Sequence, residues 1–131
     1  MTDSAAPGPS APARPWALHV HRELREGVRI LFVKGRIGVA ASPGLADLLT
    51  EELSAGHPRI VVDLDGVDYM SSAGLRVLQA AATQAAACGA RLALSRLLDP
   101  VRIAFELAGV MAEFTIETSC EAAAARLRQT P

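Results

Sequence analysis

The sequence predicts an α/β fold: one domain with a mixed, mainly parallel sheet that opens with a β-hairpin and carries about four helices. Three observations predict it. The chain has 131 residues, enough for one domain with a single hydrophobic core. Two strand-like segments come first with only a short turn between them. After this hairpin every predicted strand is followed by a helix, and right-handed crossovers of that kind build parallel sheets.

The first fifteen residues, MTDSAAPGPSAPARP, contain four prolines and no Leu, Ile or Val. A segment of this composition buries too little apolar surface to offset the entropy of ordering it. We therefore expect a disordered Ala/Pro-rich leader at residues 1–15 and the folded domain at residues 16–131. The leader lacks the charged-then-apolar order of a signal peptide, and no apolar run reaches the roughly 20 residues of a membrane span. A cytoplasmic protein without a membrane span is the expectation.

The folded part is expected to begin near Trp16 with a hairpin. The stretch WALHVHREL alternates in polarity, GVRILFVKG is rich in β-branched and aromatic residues, and REG lies between them. His19 and His21 are two residues apart and share a strand face, as a metal pair would. With no third ligand nearby, exposed histidines on an edge strand are the better interpretation.

From Ser42 the apolar spacing becomes helical. Ser42 followed by Pro43 is expected to cap the first helix, and Gly56 and Pro58 to end it. The helix should bury a leucine stripe, with three acidic residues expected off that stripe. The stripe is Leu45, Leu48, Leu49 and Leu53, and the acidic residues are Asp47, Glu51 and Glu52.

The remaining elements follow in strict alternation. RIVVDLD is apolar on successive residues, which is typical of a central strand covered on both faces, and DGVDY is expected to be the turn after it. The alanine-rich SSAGLRVLQAAATQAAACG is a helix closed by Gly89, with Leu75, Leu78 and Ala82 expected to face inward. RLALS is a strand, DPVRIAFELAGV a helix, AEFTIE a short strand and CEAAAARLRQ the last helix.

Composition excludes several functions. The formal net charge is -1 and aromatic residues make up 4% of the chain, so neither a basic stripe nor a stacking platform for nucleic acid is present. Cys88 and Cys120 are far apart and belong to no metal-binding spacing, so we interpret them as buried or half-buried free thiols. No metal and no cofactor is expected.

The stretch YMSSAGL, residues 69–75, opens the helix that follows the central strand. Ligand and partner chemistry in α/β sheets favours this edge of the sheet. One interpretation is purely structural, with Ser72 as an N-cap that accepts from Gly74 or Leu75. A catalytic serine is disfavoured, because Met70 replaces the first glycine of G-x-S-x-G and every histidine precedes the serine.

Two phosphate chemistries are also disfavoured. A receiver-type phosphoaspartate site needs an acidic pair at the end of the first strand, and that strand here enters a hairpin. The acids of DLDGVD, which are Asp63, Asp65 and Asp68, are then explained as turn formers and caps. A phosphate-binding loop needs Gly-Lys-Ser or Gly-Lys-Thr. In VKGRIG the lysine precedes the glycine, so this segment does not match a nucleotide-binding loop.

The segment RIVVDLDGVDYMSSAGLRVL, with GRIG upstream and LAGV downstream, resembles the STAS domain of bacterial anti-sigma factor antagonists. The resemblance covers about residues 28–126 and is most specific over residues 63–78. It implies that Ser72 is the phosphoacceptor, with Ser71 as a competing hydroxyl. Family members commonly carry acidic residues where this chain has Ser71 and Gly38, which bears on how readily a kinase modifies Ser72.

The resemblance implies a non-enzymatic protein that works by partner switching. The unphosphorylated form would bind an anti-sigma factor serine kinase and release the sigma factor, phosphorylation at Ser72 would block binding, and a serine phosphatase would reset the cycle. The alternative is a STAS subunit without a phosphoswitch, in a lipid-transport or signalling scaffold complex. The oligomeric state is not predicted. The expected partner-binding residues are Gly38, Ser42, Met70, Ser71, Ser72, Ala73, Gly74, Arg76 and Gln79.

Overall fold

A computed structural model of the protein describes residues 18–129, so the predicted leader at residues 1–15 lies outside the described residues. The strands are β1 (His19–Arg25), β2 (Val28–Ile37), β3 (Arg59–Met70), β4 (Arg91–Ser95) and β5 (Thr115–Glu117). The helices are α1 (Ser42–Ser54), α2 (Ser72–Ala87), α3 (Asp99–Ala108) and α4 (Cys120–Gln129), with a 3₁₀ turn at Met111–Glu113.

The five strands form one sheet in the order β1-β2-β3-β4-β5. The hairpin pair β1 and β2 is antiparallel, and every later pair is parallel. Four helices and a mixed, mainly parallel sheet confirm the fold class predicted from the element order. The hairpin turn consists of Glu26 and Gly27, both with positive φ (49° and 82°), the geometry of a type I′ turn.

The helices are divided unequally between the two faces of the sheet. On one face α1, α2 and α3 enclose the larger core, which contains Leu45, Leu78 and Phe105. On the other face α4 is the one helix of the described residues that packs on the sheet. The sheet between them has fully buried residues such as Val61 and Val62, which explains why its central strand reads as a continuous apolar run.

The central strand is longer than expected. DGVDY was predicted as a turn, but β3 continues through it to Met70. The strand stays paired with β2 along this stretch, because register shifts between Phe32 and Lys34 and between Gly35 and Arg36 absorb its irregular course. The end of β3 therefore leads into α2 after the single residue Ser71.

Helix α1 buries the predicted leucine stripe, but two details differ from expectation. Its N-cap is Ala41, and Ser42 is the first helical residue rather than the cap. Glu52 is buried, where it was expected off the stripe. It follows Leu48 by four residues and Leu49 by three, so helical spacing places it on the leucine face.

The buried carboxylate of Glu52 is paired with arginines of the hairpin. Arg22 Nε lies 2.7 Å from Glu52 Oε2, and Arg29 Nε lies 2.9 Å from Oε1. Burial by itself raises the pKa of Glu52, but the hydrogen bonds from Arg29 and Arg22 outweigh it and hold the pKa below its usual value. This cluster ties α1 to β1 and β2.

Smaller differences concern the other elements. In α2 the inward face continues from Leu75 and Leu78 to Ala81 and Ala85, and Ala82 is only half-buried. AEFTIE is a strand only at β5, with the 3₁₀ turn and Phe114 before it. Cys88 is exposed and Cys120 is buried, so the prediction of a partly buried thiol is wrong for Cys88.

The described residues contain neither a candidate membrane span nor a candidate metal site. None of the helices at residues 18–129 is long and apolar enough to cross a lipid bilayer. Within the same residues no three His, Cys, Asp or Glu side chains are grouped so that they could hold a metal ion. His19 and His21 are both exposed on the edge strand β1, as expected.

Candidate functional site

The first turn of α2 holds two adjacent serines in different roles. Ser71 is the N-cap, in extended backbone geometry, and its Oγ accepts a hydrogen bond from Gly74 N at 3.2 Å. The prediction that Ser72 is the cap is therefore wrong by one residue. Ser72 is the first helical residue, it is exposed, and its Oγ has no hydrogen-bond partner among the described residues.

The start of α2 is held against the end of β2. Ser71 N donates to Ile37 O at 2.8 Å. A Cβ added at Gly74 would lie 2.6 Å from Ile37 Cγ2 and 3.0 Å from Met70 Cγ, closer than packed atoms approach. Glycine is therefore required at position 74, because only a bare backbone lets the helix sit this close to both strands.

The loop between β2 and α1 lies beside this helix start. Its closure depends on Ser42, whose backbone N and Oγ both donate to Gly38 O, at 3.1 and 2.8 Å. β2 is the neighbour of β3 in the sheet, and Ile37 pairs with Met70 at the end of the ladder. The loop at residues 38–41 and the serines at the start of α2 therefore share one edge of the sheet.

The structure separates the nine predicted partner-binding residues by burial. Ser42, Met70 and Gly74 are buried, so in the free chain they support the surface from within. Their part in partner binding stays a prediction. Ser72 and Arg76 are exposed, one helical turn apart, and the half-buried members are Gly38, Ser71, Ala73 and Gln79.

Three exposed residues beside Ser72 were not anticipated. The guanidinium of Arg36 stacks on the ring of Tyr69, 4.5 Å from its centroid, at the paired ends of β2 and β3. Val39, in the adjoining loop, is 74% exposed. This edge of the sheet therefore presents a surface that is part apolar and part cationic. Arg36 and Tyr69 become neighbours only through the pairing of β2 with β3, which no local pattern in the sequence indicates.

Asp63 lies inside β3 and does not cap a helix; its Oδ1 accepts from Asp65 N at 3.2 Å, the local contact expected of a turn-forming aspartate, but most of its partners are distant in sequence. Its carboxylate is buried at the end of the β4 pairing and accepts from Ser95 Oγ at 2.8 Å and Cys120 Sγ at 2.9 Å. Arg96 binds it through two nitrogens, Nε to Oδ2 at 2.8 Å and Nη2 to Oδ1 at 3.1 Å. Asp65 and Asp68 are exposed.

These contacts shift two ionisation equilibria. Burial by itself raises the pKa of Asp63, but the hydrogen bonds from Arg96, Cys120 and Ser95 outweigh it and lower the pKa below its usual value. Burial and the adjacent Asp63 carboxylate raise the pKa of the Cys120 thiol. Cys120 is thus a protonated donor within a structural network, not a reactive thiolate.

The chemistry available at the start of α2 is that of a hydroxyl that receives a transferred group, not that of a catalyst. Ser72 Oγ has no general base bonded to it among the described residues, and neither a nucleophilic dyad nor a triad is formed there. The hydroxyl is exposed where the first-turn amides of α2 also face outward. Such a hydroxyl can receive a group from the active site of another protein.

The division of roles between the serines can be tested by stability. Ser71→Ala should lower the free energy of unfolding by about 1 kcal/mol, because it removes the cap of α2. Ser72→Ala removes no hydrogen bond seen in the structure and should change that free energy by less than about 0.5 kcal/mol. Urea unfolding followed by circular dichroism measures both, and a larger loss for Ser72→Ala would contradict the assignment.

Comparison with known proteins places this geometry in a family. The STAS domain family model matches residues 19–123. A curated Bordetella bronchiseptica protein named "Putative anti-sigma factor antagonist BtrV" is 36% identical over 103 residues, which cover 79% of this chain and 89% of that protein. The crystal structure of an anti-sigma factor antagonist from Mycobacterium paratuberculosis has a TM-score of 0.79 at 21% identity, covering 89% of this chain and 99% of that one.

The structure of the anti-sigma factor antagonist SpoIIAA in its unphosphorylated form has a TM-score of 0.70 at 16% identity, covering 88% of this chain and 99% of that one. The Bacillus protein has also been solved in its phosphorylated form, which matches with a TM-score of 0.63. The fold is that of anti-sigma factor antagonists. The chain belongs to the STAS domain family.

Proposed function

We propose that this protein is a cytoplasmic anti-sigma factor antagonist that acts by phosphorylation-controlled partner switching. In its unphosphorylated form it binds an anti-sigma factor that is also a serine kinase, and the sigma factor is released. Phosphorylation at Ser72 blocks this binding, and a serine phosphatase restores it. The chain is then the substrate of catalysis and not an enzyme.

The observation that carries the proposal is the exposed Ser72 hydroxyl in the first turn of α2. Ser71 Oγ is engaged with Gly74 N, whereas Ser72 Oγ is bonded to no described residue. A kinase can therefore reach Ser72 without breaking a helix cap. The naming of BtrV and of the solved relatives as anti-sigma factor antagonists supports the same role.

A phosphate on Ser72 is compatible with the fold. It would lie at the positive end of the α2 dipole, and Arg76 is one turn further along the same face. The modification would therefore act at the interface and leave the helix intact. It adds about -1.5 to -2 charges, and a partner surface fitted to a neutral hydroxyl would oppose that charge by repulsion and desolvation.

Arg36 and Arg76 give the proposed surface two cations, with Val39 and Tyr69 as apolar contacts. A partner that fits this surface would present carboxylates to the arginines and an apolar groove to Val39. Phosphoserine at position 72 would compete with those carboxylates for Arg76. Loss of binding on phosphorylation would then have two additive causes: repulsion of the partner and capture of an arginine that it uses.

The acceptor assignment is tested by incubation with candidate anti-sigma kinases, ATP and Mg²⁺, followed by intact-mass measurement and peptide mapping. One phosphate is expected, on Ser72. Ser71→Ala keeps the acceptor and should still be modified, whereas Ser72→Ala should not. A phosphate mapped to Ser71, or unchanged phosphorylation of Ser72→Ala, would overturn the assignment. A chain that binds its partner but is never phosphorylated would support the STAS subunit without a phosphoswitch.

A further inference from the structure

Within residues 18–129, the sheet face that carries α4 is covered only in part. The helix packs on Val28, Ile30, Val61 and Ala93, which all lie within the first three residues of their strands. Beyond them the same face continues along the C-terminal halves of β2 and β3, where none of the described helices covers it. Strand pairing places His19 opposite Lys34, His21 opposite Phe32, and Phe32 beside Asp63, where the part of the sheet covered by α4 meets this uncovered half.

Beside this uncovered half lies an open, shallow pocket of about 350 Å³, at the lower end of the size range of small-molecule sites. One wall is aromatic, with the rings of His21 and Phe32 stacked at a tilt and their centroids 5.8 Å apart. The other wall is polar, with His19, Lys34 and Arg96. An apolar surface with convergent polar groups at one side is the usual composition of a ligand site.

Lys34 is the single lysine of the chain, among 13 basic residues of which the other 12 are arginines. It is exposed, and the structure gives it no hydrogen bond or ion pair within residues 18–129. The backbone is shaped around it: a Cβ at Gly66 would lie 2.9 Å from Lys34 Cβ and 3.0 Å from Val33 O. Glycine at position 66 therefore lets β3 approach the backbone of β2 closely at Lys34.

Arg96 is held at the pocket in a left-handed backbone conformation, with φ of 55°, which is uncommon for a residue other than glycine. Two of its nitrogens are occupied by Asp63, which neutralises the buried carboxylate. Its Nη1 is 3.7 Å from Asp65 Oδ2, beyond hydrogen-bond distance, and the Asp65 side chain is 52% exposed.

The charges of the residues that line the pocket indicate which class of ligand would fit it. Lys34 and Arg96 balance Asp63 and Asp65 when the imidazoles are neutral, so the pocket has no net charge to attract a polyanion. Lys34 is nevertheless unpaired, and His19 lies across the ladder from it. This arrangement suits one anionic group held by the ammonium, with an uncharged ring or chain against Phe32.

We propose that this pocket binds a small organic anion, in which a single carboxylate or phosphate group is held by Lys34 and His19 and an apolar body packs on Phe32 and His21. The site is on the opposite sheet face from α2, so it is separate from Ser72 and does not depend on partner switching. Ligand binding can be measured on the isolated chain, where failure of the proposed switch has no effect.

The test is a titration followed by ¹H–¹⁵N NMR, with benzoate and phenyl phosphate as two probes that share a ring and differ in the anionic group. Either probe should shift the amides of residues 19–21, 32–34, 63–66 and 96, and leave those of residues 71–76 unchanged. Whichever probe binds more tightly identifies the anionic group. Benzyl alcohol, which lacks the charge, and inorganic phosphate, which lacks the ring, should both bind at least about ten-fold more weakly.

Variants separate the site from general charge effects. Lys34→Met keeps an unbranched side chain and removes the charge. It should lower the affinity for the more tightly bound probe about ten-fold. Lys34→Arg should retain binding within about three-fold, because it keeps the cation. Arg128→Met removes an exposed cation from α4 and is the matched control, expected to leave binding unchanged.

Four results would overturn the proposal. The first two are no amide shifts with either probe, and shifts in Lys34→Met that equal those of the parent. The other two are a loss of affinity in Arg128→Met as large as that in Lys34→Met, and an affinity for benzyl alcohol equal to that for the charged probes. Equal binding of inorganic phosphate would overturn the part played by the aromatic wall. Circular dichroism of the Lys34 variants should match the parent, because an exposed side chain is replaced.

Discussion

Asp63→Asn is expected to lower the free energy of unfolding by about 3 kcal/mol, the low end of the loss when one partner of a buried ion pair is removed. The substitution conserves shape, so it leaves no cavity. It removes the charge that Arg96 pairs with, and it puts an amide N–H₂ group where the carboxylate accepted from Ser95, Cys120 or Arg96. The 40% exposure of the Arg96 side chain moderates the loss, because that cation can be hydrated.

Asp65→Asn is the matched control for this prediction. Asp65 is 3.7 Å from the same arginine but half-exposed, so its loss should cost less than about 0.5 kcal/mol. Urea unfolding of the parent and both variants gives the comparison. If the two variants were equally stable, the Asp63 cluster would not be an important part of the core.

The same cluster predicts a pH dependence. The pKa of Asp63 is lower in the folded chain than the roughly 3.9 of an unfolded aspartate, so its stabilisation is complete above that value and is lost as the pH falls through the folded pKa. The stability difference between the parent and Asp63→Asn should therefore be constant from about pH 5 to 7 and shrink below about pH 4. A difference that grew on acidification would contradict the sign of the shift.

Glu52→Gln should lower the free energy of unfolding by about 2 kcal/mol. The Glu52 side chain is 4% exposed and is held by Arg22 and Arg29, which join α1 to the hairpin. The loss is smaller than for Asp63 because Glu52 is held by arginines that can be hydrated in part, whereas Asp63 also accepts from the buried side chains of Ser95 and Cys120. The glutamine side chain can accept a hydrogen bond from only one of the two arginines, because its N–H₂ group faces the other arginine and cannot accept.

Glu51→Gln tests whether burial is the cause. Glu51 also pairs with Arg22, at 3.1 Å, but its side chain is 72% exposed. Its replacement should change stability by less than about 0.5 kcal/mol. Thermal unfolding of both variants should show the melting temperature falling only for Glu52→Gln. Equal melting temperatures would mean that the burial of Glu52 contributes nothing.

The order of elements could be predicted because apolar spacing changes visibly along the chain. Leu45, Leu48, Leu49 and Leu53 repeat at helical spacing, and RIVVDLD is apolar on successive residues, so helix and strand are distinguished by period alone. The boundary at Ser71 and Ser72 could not be predicted to the residue. Two adjacent serines are equally good caps, and the choice depends on where β3 ends.

The buried polar clusters escaped prediction for a different reason. Asp63 comes just before the predicted turn DGVDY, where an acid is usually a turn former, and nothing local shows that Arg96 and Cys120 meet it from 33 and 57 residues away. Arg36 and Tyr69 likewise become neighbours only through the pairing of β2 with β3. Contacts between distant segments depend on register, which the sequence pattern does not specify.

The most direct test of the proposed switch compares two forms of one chain. The chain phosphorylated on Ser72 and the unmodified chain are each titrated calorimetrically into the anti-sigma kinase partner, in the absence of ATP. The phosphorylated form is expected to bind roughly a hundred-fold more weakly, a difference of about 2.7 kcal/mol, and Ser72→Asp should weaken binding in the same direction. Ser72→Ala should bind like the unmodified chain. Equal affinity of the phosphorylated and unmodified forms would contradict partner switching through Ser72.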